Sequence, residues 1–321
     1  MRIRLFALPA VAAATLAVAG CGGASDTKDS GDAGGSASGG SGAQLSLVAY
    51  STPQVVYDEL IPAFQKTEAG AGTRFKTSFG ASGDQSRAVE AGLEADVVSF
   101  SVEPDMTRLQ KAGLVDRFQK VSTSVVAFTV RKGNPKGIKG WDDLLKPGVE
   151  VITPNPFMSG AAKWNLLGAY AHGGLDFVKQ LIEDHVPVQP KSGREALQTF
   201  TGGEGDVLLS YEYETVTAQK KGEDVDLVVP DDTLQIDILG ATTKGAPPAA
   251  RTFLDYVVSD EGQKHFDAWG YDPPSGPQTK VGELKTIEDL GGWSKVNDAL
   301  FDPEKGSIAK IEEDAGVSTA K

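Results

Sequence analysis

Cysteine occurs once in 321 residues, at Cys21. That excludes an intrachain disulfide and any multi-cysteine metal cluster. Histidine is nearly as scarce: His172, His185 and His265 lie far apart, in no spacing that suits a metal, and read as surface or packing residues. Basic residues are in deficit, with 31 Lys and Arg against 44 Asp and Glu and a formal charge of -13. Nucleic-acid binding needs a basic stripe, so no such partner is expected. The same deficit argues against long-range steering of an anion, which would have to be held by local donors. Catalytic motifs are missing too. Gly80-Ala-Ser82-Gly83 has its glycine one place too early for a nucleophile elbow, and neither a Walker A loop nor a complete G-x-G-x-x-G occurs. The carboxylates are scattered as solvated charges, so a secreted hydrolase ranks behind a binding protein, and no cofactor is expected.

What is present starts with a targeting segment. Arg2 and Arg4 form a basic head, and residues 5–19 are apolar but short for a membrane span. The run Leu16-Ala-Val-Ala-Gly-Cys21 resembles a bacterial lipobox, in which Cys21 is lipidated and becomes the mature N-terminus. Residues 1–20 are therefore expected to be a signal peptide, and 21–43 a lipid-anchored flexible linker of Gly, Ser and Asp.

From residue 44 the pattern alternates. Strands are expected at 44–50, 73–78 and 95–99, with helices at about 55–66, 84–91 and 104–112. Such alternation implies α/β architecture with ligands at the carboxyl ends of parallel strands, where Ser51 and Ser82 fall. A longer β-rich run, 125–131, precedes a short turn at 141–145; helices are expected at 162–173, 175–184 and 195–201, and a buried strand at 206–211. Helices follow at 248–258 and 261–268.

The central stretch is residues 151–165, VITPNPFMSGAAKWN: a short strand, a proline-broken loop and a helix opening at Ser159-Gly160-Ala161. A helix start leaves N–H groups unpaired and carries a partial positive charge, so it suits an oxyanion. This run resembles the anion-binding segment of the sulfate-binding receptors of ABC importers, with Ala161 in place of a second glycine. Further matches are GASGDQ at 80–85, EADVVSF at 94–100, VRKGNP at 130–135, SGRE at 192–195 and DVLLSYE at 206–212. The resemblance implies a two-lobed, type II periplasmic-binding-protein-like α/β fold with the ligand in the interlobe cleft. Residues 44–126 and 239–321 would form lobe I and 127–238 lobe II, with crossings near 125–131 and 233–239. It implies a monomeric receptor that captures sulfate or thiosulfate and delivers the anion to an ABC permease, and the lipobox would hold it by lipid at the extracytoplasmic face of the cell membrane. A molybdate or phosphate receptor of the same fold is the alternative.

By the same resemblance the anion would be held by Ser51, Ser82, Ser159, Gly160, Ala161, Gly193, Arg194 and Tyr211, without a contacting countercharge. Three positions depart from the family: Tyr211 replaces an indole donor, Ser51 an aspartate, and Asp84 a lysine. A carboxylate facing the site would favour hydrogen phosphate, which needs an acceptor, over sulfate, so the direction of Asp84 bears on specificity. Arg194 is expected at the rim or behind the groups that touch the anion.

Overall fold

The structure, a computed structural model, describes residues 26–29 and 42–319. The signal peptide and Cys21 lie outside these residues. Strand β1 (Asp26–Asp29) falls inside the expected linker and pairs antiparallel with β3 (Arg74–Gly80), so these four residues differ from a free tether.

The first sheet grows around β2 (Gln44–Tyr50), which pairs in parallel with β3 on one side and β4 (Val97–Phe100) on the other. Six consecutive residues of β2, Leu45 to Tyr50, are buried, because helices cover both faces of a parallel sheet. Those helices include α1 (Gln54–Gln65), α2 (Ser82–Glu90) and α3 (Glu103–Lys111). On one face Val48, Val98, Phe100, Met106 and Leu109 form a small core; on the other Tyr57, Phe64, Phe75 and Phe253 join the main one.

Two long strands run out of this sheet. β5 (Gln119–Arg131) pairs antiparallel with β9 (Asp232–Thr242) through Val125, then with β7 (Val207–Tyr211) from Val126 onward. β6 (Val151–Ile152) and β8 (Val225–Val228) complete the second sheet. Around it lie α4 (Gly160–Gln180), α5 (Gly193–Thr201) and α6 (Glu212–Lys220). α4 joins two helices across Gly174, whose φ of 71° suits glycine, and ends in a π turn, Leu181–His185. The result is the two-lobed α/β fold with two crossing strands.

The C-terminal part is divided. Helices α7 (Pro248–Val257) and α8 (Asp260–Ala268) pack on the first lobe through Phe253 and Phe266. Beyond them β10 (Glu283–Lys285) pairs with β9, α9 (Gly292–Leu300) lies against α3 of the first lobe, and α10 (Ser307–Asp314) packs on α4 of the second. Trp293 meets Trp164 edge-on at 4.8 Å, Gln189 donates to Glu312 at 2.7 Å, and Asn155 donates to the Ser318 carbonyl at 3.0 Å.

Candidate anion site

Every sheet strand that points at the cleft ends in a hydroxyl or a helix start. β2 leads into Ser51 and α1, β3 into Ser82 at the first turn of α2, and β4 into Ser101 two residues before α3. From the second lobe come Ser159 before α4, Ser192 before α5, and Tyr211, which closes β7 and caps α6. The helix starts converge. Gly83 N–H donates to the Met158 carbonyl at 3.1 Å, joining α2 to the α4 loop. A Cβ built on Gly193 would stand 3.7 Å from Ala161 Cβ and 3.2 Å from Thr52, so α5, α4 and α1 begin side by side. Arg194 Nη2 donates to the Ser51 carbonyl and ties the lobes together.

Contacts link most of the expected residues: Arg194 reaches Ser51, Gly193 lies beside Ala161, Ser82 and Gly160 both meet Ser101, and Tyr211 lies near Ser101. Ser51, Ser82, Ser159, Gly160, Ala161, Gly193 and Tyr211 are buried and Arg194 half-buried. Their local duties differ. Ser192 accepts from Glu195 N–H at 3.2 Å and so caps α5, whereas Ser159 makes no such cap bond. Ser82 donates to Asp105 Oδ2 at 2.6 Å and accepts from Ser101 N–H at 3.3 Å, so its proton is directed away from the α4 start. Asp84 pairs with Arg87 on the exposed side of α2 and does not face the cleft.

Two cleft residues escaped the sequence reading. Ser101 is 1% exposed, and a Cβ on Gly160 would fall on its Oγ, so glycine is required for α4 to approach. Its position past β4 repeats the strand-end logic of Ser51 and Ser82, which was the available signal. Glu214 lies one turn into α6; Oε2 accepts from Ser210, and Oε1, which has no partner among the described residues, lies 2.9 Å from where a Gly193 Cβ would stand. Burial pushes its pKa up to about 7, tempered by the Ser210 hydroxyl and the Arg194 charge. Nothing in the sequence distinguishes it from the other carboxylates. Burial also pushes the phenols of Tyr211 and Tyr213 well up, so both remain hydrogen-bond donors at any physiological pH.

Electrostatically the cleft is a meeting of helix N-termini with neutral hydroxyls, an arrangement that stabilises negative charge without a mobile ammonium group. Two grooves flank it, one of about 380 Å³ beside Ser159, Gly160 and Trp293, the other of about 300 Å³ beside Thr52, Arg194 and Glu214.

The family model for bacterial extracellular solute-binding proteins matches residues 45–272. A sulfate-binding protein of Synechococcus elongatus is 38% identical over 295 residues, covering 80% of this chain and 83% of that one. A thiosulfate-binding protein of Pseudomonas aeruginosa is 34% identical, covering 79% and 88%. The solved structure of the sulfate-binding protein SubI from Mycobacterium tuberculosis superposes with a TM-score of 0.77 at 43% identity, covering 81% of this chain and all of that one. The chain belongs to the bacterial extracellular solute-binding proteins and, among them, to the sulfate-binding protein family.

Proposed function

We propose that the protein captures sulfate or thiosulfate outside the cytoplasm and delivers it to the permease of an ABC importer. The observation that carries this reading is the convergence of helix starts from both lobes on one buried point. Main-chain N–H groups of Ser51, Gly160, Ala161 and Gly193, with the hydroxyls of Ser159 and Tyr211, supply the donors. The α2 start at Ser82 adds its partial charge. Arg194 acts behind them, on the Ser51 carbonyl, and holds the lobes closed. A site of donors suits a fully ionised tetrahedral anion, and closing the lobes over it strengthens each contact by removing water. The protein binds and releases its ligand without covalent chemistry and works as a monomer.

Calorimetric titration with sulfate, thiosulfate, molybdate and phosphate tests this. One-to-one binding of sulfate or thiosulfate, far tighter than of the other two, is the expected result; preference for molybdate or phosphate overturns it. Hydrogen phosphate is the second reading, favoured by Glu214 alone, whose unpartnered Oε1 is an acceptor. The lipobox adds an anchor at Cys21. Cys21→Ala should move the protein from the membrane fraction to the soluble one; wild type without lipid on Cys21 would refute the anchor.

A further inference from the structure

We infer that Ser101 is an anion-contacting hydroxyl of this site, supplied by the first lobe opposite Tyr211 of the second. The inference rests on the proposed capture of a tetrahedral oxyanion and identifies a contact within it.

Three observations carry it. First, the Ser101 backbone is anchored on both sides of its Cα. Its N–H donates to Ser82 Oγ at 3.3 Å and its carbonyl accepts from Trp164 Nε1 at 2.5 Å, so its backbone is held in place beside the α4 start. Second, Ser101 Oγ and Tyr211 Oη are both buried and neither makes a well-formed hydrogen bond to a protein group among the described residues, yet the Ser101 hydroxyl lies near enough to the Tyr211 phenol to pull its pKa, raised by burial, back down. A buried hydroxyl without a partner costs free energy, so two of them at one place point to a ligand that satisfies both. Third, Ser101 Oγ lies against the first residue of α4, at the position a Gly160 side chain would take. The glycine and the hydroxyl fit one another, and both border the N–H groups at the helix start.

Neighbouring serines sharpen the assignment. The Ser82 hydroxyl is engaged by Asp105, and Ser86 also donates to Asp105, at 3.2 Å. Their hydroxyls thus serve a buried carboxylate at the edge of the cleft, whereas the Ser101 hydroxyl has a proton to offer. Ser99, Ser122 and Ser124 also bury unpartnered hydroxyls, but within strands β4 and β5 and not at a helix start. They serve as internal controls.

The test is calorimetry with sulfate on the full-length protein. Ser101→Ala should weaken sulfate binding by about tenfold to a hundredfold, the loss of one hydrogen bond to a charged group. Tyr211→Phe should do likewise, and the double variant should lose less than the two effects combined, because one anion bridges both hydroxyls. Ser122→Ala, which deletes an equally buried hydroxyl elsewhere, should leave affinity unchanged. Melting of the ligand-free variants verifies folding. If wild type binds sulfate and Ser101→Ala binds it within twofold, the inference fails while the function stands. An equal loss in Ser122→Ala makes the effect structural and also overturns it. If wild type binds no tetrahedral oxyanion, the functional reading fails and this contact with it.

Discussion

At the scale of single residues, Gly160 is the tightest constraint in the cleft. A methyl added there would meet Ser101 Oγ and the Val102 side chain, both fixed by their own packing. Gly160→Ala is therefore expected to push α4 back from the first lobe and weaken sulfate binding by about tenfold to a hundredfold, on the scale of overpacking penalties. Asp84→Asn is the matched control. Asp84 pairs with Arg87 on the exposed side of α2, so its charge is screened and its removal should leave sulfate affinity within about twofold. Calorimetry on both variants, with melting to verify the fold, distinguishes a steric site from a purely electrostatic one. An unchanged affinity in Gly160→Ala would mean the anion sits elsewhere.

At the scale of elements, most of the architecture was legible and the exceptions have physical reasons. Strands 44–50 and 206–211 announced themselves as short apolar runs, and the helix start at Ser159-Gly160 by its proline-broken approach. β5 was read too short. Its first half, Gln119 to Ser124, is polar in composition, yet residues 121–124 are buried between β9 and the flanking helices. Tertiary contact, not side-chain polarity, decides such a strand. β8 and β10, of four and three residues, carry too little pattern to register. In the site, Ser51 and Ser82 were visible because their strand-end positions nominate them, whereas Ser101 was missed because its strand was read to end at Ser99 and runs on to Phe100. Glu214 was missed too: its role depends on burial against Gly193, which only the packed α5 and α6 create.

At the scale of the whole molecule, buried carboxyls set the response to pH. Glu214 in the cleft and Glu312 on the buried face of α10 both have their pKa pushed up to about 7, in each case by burial. A raised folded-state value means the folded protein binds the proton more tightly than the unfolded chain. The stabilisation is full below the ordinary carboxyl range and is lost as pH rises through 7, on the order of 3 kcal/mol for each group. His172 acts in the same direction: burial would lower its pKa, but hydrogen bonds to Asp142 and Asp232 hold it above its usual value. The carboxylates with lowered values, Asp143, Asp226 and Asp289, are surface groups whose opposite contribution fades only in stronger acid. The melting temperature of the ligand-free protein should therefore be higher at pH 5.5 than at pH 8. Glu312→Gln should flatten that slope without touching sulfate affinity, since Glu312 contacts Gln189, away from the cleft. A melting temperature that rises between pH 5.5 and 8 would contradict this account.

The order in which the strands of the first sheet occur in the chain has a consequence for biogenesis. Val97 of β4 pairs with Thr242 of β9, so the first lobe cannot close its sheet until the whole second lobe and its return strand have been made. Closing so long a loop is slow, and until then β4 has an open edge. A chain leaving the ribosome head first therefore spends most of its synthesis with its leading lobe unfinished. That is the form a translocation channel for unfolded polypeptides accepts, and the topology itself delays folding until the last third of the chain arrives.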